Sequence, residues 1–168
     1  MKAVTVAALV ALTSGGLLLA GVEKASAAAS VSARKMPYWA SLGAGQARMR
    51  TGPGRNYPAT WLYQRKGLPV QVIDVYPGWR KVRDPDGAEG WMIGSLIVDQ
   101  RTAMVKGGTA DLRDSPRGDS RIVWRAEPGV IGRLSRCDGS WCKIDVQGRD
   151  GYVEEDRLWG VDANEQLN

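Results

Sequence analysis

Along most of the chain apolar and polar residues alternate in short runs, and turn residues separate the runs. In Leu68-Pro69-Val70-Gln71-Val72-Ile73-Asp74-Val75-Tyr76 the apolar positions 68, 70 and 72 interleave with polar or less buried ones, which is the two-residue period of a half-buried strand. Pro77-Gly78 turns the chain and Trp79 to Arg83 reads as the returning strand. Asp84-Pro85-Asp86-Gly87 is a turn with a strong Asp-Gly hairpin signal, and Gly90-Trp91-Met92-Ile93 is the next strand. Beyond the N-terminal segment no stretch of ten or more residues shows the 3.6-residue apolar period of a helix. The pattern predicts an all-β protein.

The N-terminal segment is of another kind. Met1-Lys2 is a minimal positive start, and Ala3 to Val22 is an uncharged run rich in Ala, Leu and Val. Glu23 and Lys24 end the run, and Ala25-Ser26-Ala27 supplies the small-x-small pattern of a cleavage site. Residues 1–27 therefore read as a secretory signal peptide, with cleavage after Ala29 as the second choice and an uncleaved anchor as the alternative. No Cys lies in the first thirty residues, which rules out a lipoprotein anchor there, and no later segment is apolar enough to span a bilayer. The expected location is across the inner membrane, periplasmic or extracellular.

The remainder repeats itself once. Ala47-Arg48-Met49-Arg50 aligns with Ala110-Asp111-Leu112-Arg113, Pro53 with Pro116, Trp61 with Trp124 and Val72 with Leu134. Gly78-Trp79-Arg80-Lys81-Val82 aligns with Ser140-Trp141-Cys142-Lys143-Ile144, Gly90-Trp91-Met92 with Gly151-Tyr152-Val153, and Leu96 with Leu158. The sequence thus divides into a module at 36–99, a second at 100–161 and a polar tail at 162–168. Five short strands in about sixty residues predict a small barrel in each. So small a unit buries little surface, so the Trp side chains and docking of one copy on the other are expected to add stability.

Composition narrows the function classes. Among 168 residues there are seven Trp, five Tyr, two Cys and no His. Without histidine, Ser-His-Asp triads, Cys-His dyads and His-ligated metals are excluded, and the balance shifts from enzyme toward binding protein. Removing residues 1–27 leaves 21 basic and 17 acidic side chains, with most of the excess in the first copy. An exported basic protein meets wall polymers, lipid head groups and acidic partners, and seldom nucleic acid.

Met49-Arg50-Thr51-Gly52-Pro53, a loop, an apolar run, Gly78-Trp79-Arg80-Lys81-Val82, then Asp86-Gly87 and Gly90-Trp91-Met92 together resemble the bacterial Src-homology-3 (SH3) domain. The second copy repeats the pattern more loosely, and the likeness covers about residues 36–161. It implies two tandem small SH3-like β-barrels and a non-catalytic extracytoplasmic binding module. Trp79 and Trp141 fall where the groove Trp of such domains stands, three residues before Val82 and Ile144. The other groove elements are replaced by Ala47-Arg48-Met49-Arg50-Thr51, and by Ile93 and Leu96 or Glu154 and Leu158. Proline-rich peptides are therefore poor ligand candidates.

The loop between Arg50 and Trp61 offers other chemistry. Arg48, Arg50 and Arg55 lie close together in the chain, and guanidinium suits bidentate carboxylate recognition. Tyr57 and Trp61, with Trp79 beside the loop, offer flat faces for sugar rings or peptide backbone. Peptidoglycan presents both carboxylates and glycan faces. The competing reading makes the glycines and prolines turn-formers, Trp61 and Trp91 core, and the arginines solvated; Arg50, whose counterpart is also Arg, fits a structural ion pair equally well.

Cys137 and Cys142 bracket a turn and are expected to form a disulfide; a redox pair or half a metal site are the alternatives, at unsuitable spacing and without further soft ligands. Asp84, Asp86 and Glu89, and Glu154-Glu155-Asp156, read as solvated charge rather than glycosidase acids. No catalytic residue, metal site or cofactor is expected. The expected partner is a cell-wall polymer such as peptidoglycan, or alternatively an envelope protein held by the seam between copies or by the tail.

Overall fold

The computed structural model describes residues 34–168, and the expected signal peptide lies outside them. The first copy contains β1 (Tyr38–Leu42), β2 (Ala47–Arg50), β3 (Ala59–Tyr63), β4 (Pro69–Tyr76), β5 (Trp79–Arg83), β6 (Glu89–Ile93) and β7 (Ile97–Val98). The second contains β8 (Thr102–Val105), β9 (Ala110–Arg113), β10 (Ile122–Ala126), β11 (Ile131–Asp138), β12 (Trp141–Val146), β13 (Arg149–Glu154) and β14 (Leu158–Trp159). A last short strand, β15, spans Gln166–Leu167.

Each copy folds its strands into one antiparallel sheet in the same order, β3-β2-β6-β5-β4-β1-β7 and β10-β9-β13-β12-β11-β8-β14. The protein is all-β, two tandem SH3-like units. The alternation sets the inner face: Leu42, Met49, Val70, Val72, Val82 and Met92 are buried in the first unit. Val105, Leu112, Leu134, Ile144, Val153 and Leu158 do the same in the second. The sheets also share irregularities, such as a bulge between Val72 and Asp74 that recurs between Leu134 and Arg136.

Matching hydrogen bonds fix the correspondence of the copies. Gly67 N donates to Leu42 O at 2.7 Å, and Gly129 N to Val105 O at 2.7 Å. Gly43 N donates to Leu96 O at 2.8 Å, and Lys106 N to Arg157 O at 2.9 Å. The latter pair corrects one expected match. Leu96 corresponds to Arg157, each ending a 3-10 turn, and the buried Leu158 corresponds to Ile97.

The tail also departs from expectation. Residues 162–168 are not a separate polar appendage, because β15 pairs with β11 through Cys137↔Leu167 and Asp138↔Gln166. Glu165 receives two hydrogen bonds from Arg101, at 2.6 and 3.0 Å, with both side chains largely buried. Asn164 N and Glu165 N donate to the Glu155 carboxylate. A polar segment is held here by satisfying its charges, which an apolar pattern does not announce.

The copies dock along a mixed seam. Trp39 meets Trp159 edge to face with ring centroids 5.0 Å apart, and its indole N–H donates to Asp162 at 2.8 Å. Thr102 Oγ1 donates to Gly67 O at 2.7 Å, and Met104 and Ile131 pack against the first core. Among the described residues no helix is long and apolar enough to cross a membrane.

Candidate functional site

On β2 the inward residues Ala47 and Met49 are buried, which turns Arg48 and Arg50 to the outer face. Leu62 lies directly across from Arg48 on β3. Together with Gln46, Arg55 from the loop, Ile93 from β6 and Leu96 from the following 3-10 turn, these residues line an open hollow of about 190 Å³. Its lining brings Leu62, Ile93 and Leu96 together with three guanidinium groups. Among the described residues no carboxylate lines it.

Arg50 is partly committed, because its Nη1 donates to Tyr57 O at 2.7 Å and so braces the loop from within. The second copy repeats the brace, from Arg113 Nη1 to Ser120 O. The shared arginine is thus a loop strut through a carbonyl, where an ion pair with a carboxylate was the expected structural role. In the second copy Arg113 also lies 3.8 Å from Asp111. Arg48 and Arg55 form no hydrogen bond or ion pair with other side chains among the described residues, and both are exposed.

The equivalent hollow of the second copy has different chemistry. It is lined by Thr109, Ala110, Asp111, Arg113, Trp141, Val153, Glu154 and Arg157. Asp111 stands where the first copy has Arg48, Arg125 where it has Leu62, Glu154 where it has Ile93 and Arg157 where it has Leu96. Arg125 Nε donates to Asp111 at 2.8 Å, so the cross-strand pair neutralises itself. In the first copy the same position pairs Arg48 with Leu62, which leaves the guanidinium without a counter-charge.

The sequence-derived site residues separate on this surface. Arg48, Arg50 and Arg55 come together, and Leu62, which sequence reading passed over, joins them with Ile93 and Leu96. Tyr57 belongs to the loop: its ring covers Gly52, where an added Cβ would come within 2.4 Å of it. Trp61 lies across from Met49 on the edge strand β3 and is 59% exposed, neither core nor part of the hollow. Trp79 pairs with Ile93 on the neighbouring strand and does not line the hollow, whereas its counterpart Trp141 lines the neutralised one. Of the loop's residues Arg55 lines the hollow, together with Leu62 of β3 and Leu96 of the 3-10 turn, and Trp79 does not join them. Trp91 is half-buried and meets Tyr76 edge to face at 6.4 Å. The signal for Leu62 was its place opposite Arg48, visible only once the register of β2 and β3 is known.

Cys137 and Cys142 are joined by a disulfide between facing residues of β11 and β12, both buried. The carboxylates divide. Asp84, read as solvated, is 5% exposed and accepts hydrogen bonds from Tyr63 Oη at 2.7 Å and from the backbone N–H groups of Asp86 and Ala88. It closes the β5–β6 turn. Glu89 is held below the usual carboxylate range by hydrogen bonds from Arg83 and Lys81. Asp150 is likewise lowered by its bond to Lys143. Glu155 anchors the tail. No group of three acidic, Cys or His side chains suited to a metal occurs among the described residues.

A family model described as Bacterial SH3 domain matches the chain twice, at residues 43–98 and 106–160. No curated protein matches the chain. Among solved structures the chain is similar to NlpC2 from Trichomonas vaginalis, with 17% identity, a TM-score of 0.33 and coverage of 76% of this chain and 49% of that one. NlpC1 from the same organism gives 17% identity, a TM-score of 0.32 and coverage of 75% and 46%. An NlpC/P60 family protein from Bacillus cereus gives 13% identity, a TM-score of 0.33 and coverage of 77% and 58%. The chain spans about half the length of these structures.

Proposed function

The chain belongs to the bacterial SH3 domain family, and on that premise we propose that it is a non-catalytic, exported binding protein that engages peptidoglycan through the Arg48–Arg50–Arg55 hollow of its first copy. Domains of this family are generally cell-wall binding, which supports the kind of partner. The buried disulfide supports an oxidising, extracytoplasmic compartment.

One observation carries the reading. Arg48 faces Leu62 where the second copy has an Asp111–Arg125 ion pair, so at this position the first copy presents an unneutralised guanidinium and the second a neutralised pair. Peptidoglycan supplies the carboxylates such groups bind. The absence of histidine and the engagement of Asp84, Glu89 and Glu155 in structural bonds favour binding over catalysis. An adaptor role through the tail or the seam gains no support, since contacts within the chain already occupy both.

Co-sedimentation with purified sacculi across a salt series tests the proposal. Binding is expected to persist at moderate salt and to fall about tenfold or more in Arg48→Gln with Arg55→Gln, since a charge-assisted bond contributes about 1.5–3 kcal/mol. Unchanged sedimentation of the double variant would rule out the hollow. Loss of wild-type binding at moderate salt would reduce it to diffuse charge attraction.

A further inference from the structure

Resting on the wall-binding reading, we propose that the hollow takes the end of a peptide: a free terminal carboxylate carried on a small aliphatic residue. Size is the first constraint. Pockets that enclose a drug-sized ligand measure about 300–1,000 Å³, and at about 190 Å³ this hollow holds an end group rather than a length of chain. A glycan strand runs past such a hollow and does not fill it.

Chemistry is the second constraint. Arg48 and Arg55 line the space without a hydrogen-bond partner among the described residues, and Arg50 has spent one Nη1 hydrogen on Tyr57 O and keeps others. Guanidinium groups match the planar, two-oxygen geometry of a carboxylate better than a single point charge. Among the described residues the hollow has no carboxylate that would hold an ammonium group. An amino terminus or a basic side chain is therefore repelled, which sets the polarity of the bound peptide.

The aliphatic wall is the third constraint. Leu62, Ile93 and Leu96 share the lining with the guanidinium groups, and Leu62 is 46% exposed among the described residues. Apolar surface next to a carboxylate-binding rim gains from a methyl or similar small group adjacent to the carboxylate. A phosphodiester polymer has the anion without that neighbour. The second copy has a hollow of similar size, about 250 Å³, but fails the other two conditions, because Arg125, Glu154 and Arg157 replace the aliphatic trio and Asp111 replaces Arg48. The first copy alone reads the peptide end.

The test is an NMR titration of the whole protein with N-acetyl-alanyl-alanine, its C-terminal amide, and inorganic phosphate. The free acid is expected to shift methyl resonances of Leu62, Ile93 and Leu96. The amide and phosphate are expected to bind about tenfold more weakly or worse. Arg48→Gln with Arg55→Gln should abolish the acid's effect while leaving the remaining spectrum folded, and Leu62→Ser should weaken the acid with the arginines intact. Equal binding of acid and amide, equal binding of phosphate, shifts centred on the second copy, or no shift at all would each overturn the assignment. Sacculus binding distinguishes the two failures: if it survives while the acid does not bind, the ligand class is wrong and the wall reading stands.

Discussion

Asp84 shows how far a single residue can depart from its exposure class. An aspartate in an Asp-Pro-Asp-Gly turn reads as solvent-facing, yet Asp84 is buried and saturated by one hydroxyl and two amide donors. One partner is Tyr63, twenty-one residues earlier, whose hydroxyl reaches the carboxylate. Burial, then the hydrogen bond to Asp84 and its charge, hold the Tyr63 hydroxyl well above the ordinary tyrosine value of 10.0. The folded state therefore keeps this proton where the unfolded chain releases it. Stability from this group is complete below the unfolded value and is lost as pH rises through it toward the folded value. Replacing Tyr63 by Phe is expected to cost about 1 kcal/mol at neutral pH, from the lost bond to Asp84. The same change should remove this share of the alkaline decline, so that the deficit narrows between about pH 8 and about pH 11. Urea midpoints at the two pH values measure it. A deficit that stays constant would show that Tyr63 ionises alike in both states.

Three strands of the first copy were legible from alternation and turn signals, at 68–76, 79–83 and 90–93. Residues 68–76 and 79–83 match β4 and β5 to within one residue, because Val70, Val72 and Val82 must share one buried face. Two-residue strands such as β7 and β15 have no period to read, and β15 forms because Glu165 and Leu167 find partners far away in the chain. The site was legible by half for a related reason. Side-chain type announced Arg48, Arg50 and Arg55, while Leu62 and Leu96 acquire meaning only from the β2–β3 register and the 3-10 turn. Tyr57, Trp61 and Trp79 were grouped with them because alternation reports which face a residue takes and not which neighbour it meets. The β11–β12 hairpin offers an internal control on the disulfide. Cys137 and Cys142 occupy the places of Val75 and Arg80, and the first copy forms the same hairpin without a bridge. Cys137→Val with Cys142→Ala should therefore keep the fold and lose about 2 kcal/mol by loop entropy. Urea unfolding of the variant checks the loss, and a circular-dichroism spectrum altered from the wild type would show that the bridge sets the hairpin itself.

At the scale of the molecule, the question is whether two small units behave as one. Each alone buries too little surface for comfort, and the seam contributes apolar area and polar bonds together. Trp39 is 9% exposed, meets Trp159 edge to face and donates to Asp162, while Ser41 and Thr102 donate to carbonyls of Gln100 and Gly67. Gly160 lets the backbones approach: its φ is +108°, and an added Cβ would lie 2.6 Å from Thr102 O and 3.0 Å from Pro69 Cβ. The tail belongs to this joint, since Arg101 binds both Glu165 and Gly160 O and so holds Asp162 at Trp39. Interlocked contacts of this kind predict one cooperative unfolding transition for the pair. Trp39→Ala is expected to lose about 3–5 kcal/mol and to split the transition in two. Asp162→Ala, which removes only the hydrogen bond, should lose about 1 kcal/mol and leave unfolding single. Calorimetry on the three proteins decides between joint and independent units. Two transitions in the wild type would mean that the seam is too weak to couple the copies; a single one places the guanidinium hollow on a rigid body, with its neutralised twin held at a fixed distance.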